Sequence, residues 1–321
     1  MRHYHIASLS LGILLAGAAV SWVSPALGAE PDPTPQITAA LPAEATVKPR
    51  QPRKLLVFKM KGGHSLPVAG VKAMELMGRK TGAWSTTISD DRAVFEAESL
   101  KGFDAVCIIN NTSRVNFFGY ASPKATKEEQ AAAAADAQRR EDAFLAYVRG
   151  GKGFIGIHSA IDSRSEILPE LFSGRFVGEP WDEKVGIRID DPEHALTKSF
   201  GVEPLEIADQ IAVFNGKLHA DFRKKIRVLL TLDMTRTAPK GKRADQDYAV
   251  AWVKKVGEGR LFYSSLGHHE ETYWNPKILR FYMDGIQFVL GDLEADTRPS
   301  AEVGIAPPPV ALPSPESKTR K

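Results

Sequence analysis

Short apolar runs alternate along the chain with stretches whose apolar residues have helical spacing, and this pattern fills residues 53–291. Short apolar runs bounded by Gly, Pro or Asn are typical of buried strands. The clearest are residues 54–58, 103–109 and 153–157. Weaker runs predict further strands at residues 84–88, 185–189, 211–214, 227–232, 249–254 and 260–265.

Helical spacing of apolar residues predicts three main helices, at residues 68–80, 126–149 and 274–290. The second has the strongest end signals, because Thr126 and Glu129 form a capping box and Gly150 closes the helix. Strands that alternate with helices favour an α/β fold with an open, mostly parallel sheet and helices on both faces. The turn at residues 256–259 adds a late antiparallel hairpin.

The two ends of the chain differ from this pattern. Residues 1–29 have a basic start, an apolar middle and a small-residue exit, which predicts a signal peptide, with an uncleaved anchor as the alternative. Of the 21 prolines, six lie in residues 31–52 and six in residues 299–315. We therefore expect a Pro-rich linker at 30–52, one domain at 53–291 and a disordered tail at 292–321. The expected location is periplasmic or secreted, with no stable membrane span after cleavage.

Charge and cysteine content remove several classes of function. Lys and Arg number 42 against 39 Asp and Glu, too small an excess for the basic surface that nucleic-acid binding needs. A single cysteine excludes a disulfide framework. Cys107 lies inside an apolar run, so we expect a buried, unreactive thiol.

Histidines follow several predicted strands, at the edge of the sheet where ligands bind. His64, His158, His268 and His269 all occupy such loops. Two mechanisms could use them. Three imidazoles could bind a divalent metal, zinc being the preferred ion, or one histidine could act as a general acid/base beside a carboxylate. No local ligand motif such as His-Glu-x-x-His decides between the two.

The strand at residues 153–157 ends in a turn shaped like a nucleophile elbow. His158 stands at the position where a nucleophile would be expected, and Ser159 comes one residue too late. The sequence therefore argues against a serine hydrolase. The glycine turn at residues 61–64 lacks the Gly-Lys-Ser/Thr ending of a phosphate-binding loop.

Several segments together resemble the ThuA-like (trehalose utilisation) family. They are residues 153–160, 172–176, 194–197, 207–211, 251–252, 257–263 and 266–268. The resemblance implies a class I glutamine amidotransferase-like, flavodoxin-like doubly wound fold. It also implies a role in carbohydrate metabolism, mainly of trehalose and related glycosides, in which 3-keto sugars appear as intermediates. Relatives that use glutamine have cysteine at the elbow, so His158 implies that this chain is not an amidotransferase.

Two positions depart from the family pattern. Glu179 stands where the family often has histidine before proline. Gln210 and Ala212 stand where a carboxylate and a phenol are common. These departures leave open a non-catalytic carbohydrate-binding or envelope scaffold domain as the alternative function.

The leading hypothesis is an exported protein that acts on a small-molecule sugar in a cleft lined by histidines, as a hydrolase, lyase or isomerase. The predicted site residues fall into three groups by role. The catalytic residues are His158, His268 and Asp209; the substrate-binding residues are Asn110, Asn111, Ser159, Trp181 and His269; the metal ligands are His64, His158 and His268.

Overall fold

Nine strands form a single mixed sheet in the part of the chain that the structure, a computed structural model, describes: residues 32–59, 68–109, 116–203, 205–215 and 222–308. The predicted signal peptide at residues 1–29 lies outside these ranges. The strands are β1 (Lys54–Phe58), β2 (Ser85–Ser89), β3 (Ala105–Ile109), β4 (Gly153–Ile157), β5 (Arg175–Ile189), β6 (Leu205–Asn215), β7 (Arg227–Leu232), β8 (Ala249–Val256) and β9 (Gly259–Ser264). The α-helices are α1 (Thr34–Ala40), α2 (Val68–Thr81), α3 (Ala97–Leu100), α4 (Lys127–Arg149), α5 (Leu168–Phe172) and α6 (Pro276–Val289).

The strand order is β2-β1-β3-β4-β9-β8-β7-β5-β6. The pairs from β2 to β9 are parallel, and the pairs from β9 to β6 are antiparallel. The α/β class and the β8–β9 hairpin are thus confirmed, but the prediction of a mostly parallel sheet was wrong. The reason is that β5 and β6 are long, partly polar strands, and the apolar runs at residues 185–189 and 211–214 mark only parts of them.

Helices cover both faces of the sheet. Successive strand residues point to opposite sides, so each strand packs against a different group of helices on each face. On β1, Leu55 and Val57 pack with α2 and α6, while Leu56 and Phe58 pack in the cluster that contains α4 and α5 residues. The central strands are therefore buried on both sides. Cys107 on β3 is fully buried, and burial raises the pKa of its thiol, which confirms the prediction of an unreactive core residue.

The capping box predicted for the long helix is present. The Thr126 hydroxyl accepts a hydrogen bond from the Glu129 amide at 3.2 Å, and the Glu129 carboxylate accepts one from the Thr126 amide at 2.8 Å. Trp252 on β8 is fully buried in the core. None of the helices in the described ranges has the length and hydropathy needed to cross a bilayer.

The segments on either side of the predicted domain are ordered where the structure describes them, contrary to the expectation of a linker and a disordered tail. Ile37 on α1 is 0% exposed, and the Gln287 side chain exchanges hydrogen bonds with the Val47 backbone. At the other end, Ser300 is buried and its amide donates to the Ile226 carbonyl at 3.0 Å. A few contacts with the core suffice to order such a segment, and its average composition does not indicate them.

Candidate functional site

His158 lies at the carboxyl end of β4, where the backbone turns sharply into the 3-10 helix His158–Ile161. Its φ angle is 51°, in the left-handed region that residues other than glycine rarely adopt. Its side chain is 0% exposed, and the Tyr263 hydroxyl donates a 2.8 Å hydrogen bond to its carbonyl. The predicted sharp turn is therefore confirmed. Strained positions of this kind are concentrated at functional sites.

The hydrogen bonding of His158 defines which ring nitrogen can exchange a proton. Nδ1 lies 2.9 Å from the Ser265 carbonyl oxygen. Because a carbonyl only accepts, Nδ1 carries the proton and Nε2 holds the lone pair. Burial is the main cause that lowers the pKa of His158 to about 4, and the hydrogen bond to Ser265 offsets part of that effect. The ring is thus neutral near pH 7 and Nε2 is a free base.

Glu179 faces this free nitrogen. Its Oε1 lies 3.6 Å from Nε2 of His158 and is buried, while 21% of the side chain is exposed. The pairing between β5 and β6 is irregular from Phe176 to Trp181, and Gly178 has a φ of 145°. A bulge of this kind turns a side chain away from the regular alternation. Here it directs Glu179 toward the end of β4.

The same glutamate lines an open cavity of about 540 Å³. Glu179 therefore has two sides, one toward the buried imidazole and one toward space that a sugar could occupy. Glu179 is a site residue that the strand and loop patterns did not indicate. Its one signal in the sequence was its position before Pro180, where the family often has histidine.

Asp209 holds the loop that carries the other two histidines. Its carboxylate accepts hydrogen bonds from the amides of Gly267, His268 and His269 at 2.6, 3.0 and 3.0 Å. The Thr272 hydroxyl donates a fourth bond at 2.8 Å. Asp209 is 0% exposed, and its oxygens are engaged by these donors. This geometry fits a positioning residue and does not support the predicted catalytic role.

The loop places a row of imidazoles beside the site. The ring centroids of His158 and His268 are 5.0 Å apart, and those of His268 and His269 are 5.3 Å apart. His269 Nε2 lies 2.8 Å from Asp182 Oδ1 at the protein surface. The predicted convergence of histidines is confirmed for these three residues. His64, Asn110 and Asn111 lie outside the described residues.

Two predicted sugar contacts are buried instead. Trp181 is on β5 and is 0% exposed, with its indole donating to the Ala238 carbonyl at 2.6 Å. The residues after Gly178 continue the strand through the bulge, and Trp181 packs in the core. Ser159 is also 0% exposed, so its hydroxyl does not reach the cavity in this conformation.

The metal hypothesis depends on three ligands. Within the described ranges no group of three or more His, Cys, Asp or Glu residues is arranged to hold an ion. The Nε2 lone pair of His158 and Oε1 of Glu179 are of the right chemistry for zinc, and a 3.6 Å separation is close to the spacing of about 3.4 Å between two ligands in a tetrahedral site. The described residues thus supply two suitable atoms, and the predicted third ligand, His64, is outside them.

Burial of neutral His158 gives stability a defined pH dependence. The unfolded chain binds a proton at this residue below pH 6.5, and the folded protein does so only below about pH 4. Stability from this residue is thus complete above pH 6.5 and is lost as the pH falls toward 4, by on the order of 3 kcal/mol. We expect the difference in unfolding free energy between the wild type and His158→Asn to shrink over this window in urea titrations. Asn does not titrate and tolerates a positive φ, so a difference that is constant with pH would contradict the assignment.

The fold and the site define an α/β protein with a buried histidine beside a glutamate at the carboxyl end of a central strand. The model of the ThuA family, described as trehalose utilisation, matches residues 54–289, and the chain belongs to this family. Among solved structures, it is similar to a ThuA-like protein from Bacteroides uniformis, with a TM-score of 0.54, 19% identity and coverage of 75% of this chain and 93% of that one. A ThuA-like protein from Parabacteroides merdae gives a TM-score of 0.48, 15% identity and coverage of 75% and 90%. A search of curated protein sequences gave no match.

Proposed function

We propose that this protein is an exported enzyme of trehalose-type sugar utilisation that transfers protons to and from a glycoside or keto-sugar. The observation that carries the proposal is the placement of Glu179 between the cavity and the Nε2 lone pair of buried His158. A carboxylate that touches both a ligand space and a neutral imidazole can pass a proton between them.

In the proposed mechanism Glu179 is the catalytic residue that contacts the sugar. It takes a proton from a hydroxyl, or from the carbon next to a keto group, and His158 Nε2 stabilises the protonated carboxyl by accepting a hydrogen bond from it. The same proton can return to a leaving oxygen. This proton transfer is common to sugar hydrolysis, elimination and isomerisation, so the pair is compatible with a hydrolase, a lyase or an isomerase. His268 borders the pair and His269 connects it to the surface.

Three further parts of the proposal depend on other observations. The composition of residues 1–29 supports export to the periplasm or the medium. The order β2-β1-β3-β4-β9 of the parallel strands supports a flavodoxin-like, doubly wound arrangement of that half. As the alternative to the hydrogen bond from the protonated carboxyl, the lone pair of His158 beside Glu179 supports a divalent cation as ligand or cofactor, which would polarise a sugar oxygen when bound.

The test is turnover of a sugar panel by purified protein. Trehalose, other disaccharides and their 3-keto forms are incubated with the protein, and products are followed by NMR. We expect at least one keto-sugar or glycoside to be converted, with about 100-fold slower turnover by His158→Asn. His194→Gln is the matched control, because His194 is also buried but bonds to the Asp296 carbonyl away from the site. Metal analysis of the same samples tests the cation, whose content should fall in His158→Asn alone.

A non-catalytic carbohydrate-binding domain is the second candidate, favoured by the complete burial of His158 and Ser159. Calorimetry with the same panel separates the two functions. Binding without conversion of any sugar would support the second candidate, whereas conversion that depends on His158 supports the enzyme.

A further inference from the structure

One wall of the cavity is basic. The apolar part of its lining consists of Val177, Gly178, Pro180, Val213 and Phe214, and Glu179 is the single carboxylate. The basic part is one segment with three cationic side chains: Lys240, Gly241, Lys242 and Arg243. The residues of the segment 240–243 are called the basic segment below. Among these lining residues, Glu179 has the only side chain that can accept a hydrogen bond.

The basic segment has more donors than its neighbours use. Lys240 pairs with Glu183 at 2.7 Å, and the Arg243 guanidinium pairs with Asp245. After these pairings each cation still has N–H groups that are available to a ligand, because an ammonium has three N–H groups and a guanidinium has five. Lys242 is exposed and has no ion pair or hydrogen bond with the described residues. The side chains of the basic segment thus offer positive charge and N–H groups, and none of them is an acceptor.

Two buried aromatic residues hold the basic segment in place. The indole of Trp181 bonds to the Ala238 carbonyl, and the Tyr248 hydroxyl accepts a 2.8 Å hydrogen bond from the Arg243 amide. A Cβ on Gly241 would lie 2.1 Å from the Tyr248 hydroxyl oxygen and 2.6 Å from the Trp181 ring, so only glycine allows this approach. The backbone that carries the cations is therefore held in place by the fold, and a binding subsite requires such support.

We propose that the basic segment is a subsite for an anionic group, so that this cavity binds an acidic sugar, bearing a carboxylate or a phosphate, more tightly than a neutral one. The proposal rests on the proposed function for the identity of the ligand as a sugar. The anionic group binds at Lys242 and Arg243, and the part of the sugar that reacts faces Glu179 at the other side of the cavity. A cavity of about 540 Å³ has the size of a site for a small ligand.

The test is calorimetry with the full chain and four probes: glucuronate, glucose 6-phosphate, glucose and inorganic phosphate. We expect the better of the two acidic sugars to bind at least about tenfold more tightly than glucose, since hydrogen bonds to a charged group are the stronger ones. The two acidic sugars distinguish a carboxylate from a phosphate ligand. Added salt should weaken the binding of the acidic sugars and leave the affinity for glucose unchanged.

Variants at one exposed residue keep the fold intact. Lys242→Gln should remove most of the preference, and Lys242→Glu should abolish it, whereas Lys255→Gln, at another exposed lysine, should leave it unchanged. Equal affinity for acidic sugars and glucose, no binding of any probe, tight binding of inorganic phosphate with no gain from the sugar, or a preference that survives Lys242→Glu would each overturn the proposal.

The outcomes also separate this subsite from the proposed catalytic function. Preferential binding of an acidic sugar with no turnover would confirm the subsite and contradict the enzyme. Turnover of neutral sugars with no preference for acidic ones would do the reverse.

Discussion

Replacing Glu179 with Gln is expected to reduce sugar turnover by at least about 100-fold while leaving the fold intact. Gln has nearly the same shape and its amide can still face Nε2 of His158, which lies 3.6 Å from the carboxylate. What it removes is the ability to take up and release a proton. The loss should therefore appear in kcat more than in KM, because binding contacts in the cavity are kept.

The control for this variant is Glu206→Gln. Glu206 lies on the neighbouring strand β6 and pairs with Lys184 and Arg236 outside the cavity. Loss of such exposed pairs changes stability little, and turnover should stay within about twofold of the wild type. Glu179→Asp keeps the carboxylate on a shorter side chain and should recover part of the rate. A Glu179→Gln enzyme with normal kcat would remove Glu179 from the mechanism and leave the cavity as a binding site.

Three strands in the parallel half of the sheet could be predicted from the sequence because they are short apolar runs. Lys54–Phe58, Ala105–Ile109 and Gly153–Ile157 are buried on both faces, so burial and sequence pattern coincide. The long strand Arg175–Ile189 could not be recognised in full, since its first half is bulged and alternates irregularly between exposed and buried residues. The spacing of apolar residues in the sequence does not indicate where a strand has a bulge.

The candidate site divides in the same way. The carboxyl ends of parallel strands lie at the same edge of a sheet, so the proximity of His158 and His268 could be predicted from the order of the strands. The role of Glu179 did not follow, because a bulge on another strand aims it. Trp181 is buried in the core and donates a hydrogen bond to the Ala238 carbonyl, which is 57 residues away, and no local pattern contains that contact.

Asp209 could be picked out as a polar site residue, but its role depends on partners 58 to 63 residues away in the sequence. All its partners in the loop after β9 are donors: three backbone amides and one hydroxyl. A buried carboxylate of this kind is held by charge-assisted hydrogen bonds, which are stronger than neutral ones. It holds His268 and His269 by their backbone amides and not by their imidazole rings.

Asp209→Asn is therefore expected to be strongly destabilising, by about 3 kcal/mol in urea unfolding. An amide has one acceptor oxygen in place of two, so at least one of the Gly267, His268 and His269 amides loses its partner, and the new NH2 group faces other donors. Hydrogen exchange at these three amides should accelerate far more than exchange in β4. Asp182→Asn, which alters an exposed contact with His269, should cost less than about 1 kcal/mol and leave this exchange unchanged. If both variants had the same stability and exchange, Asp209 would not hold the histidine loop, and a direct catalytic role for it would regain support.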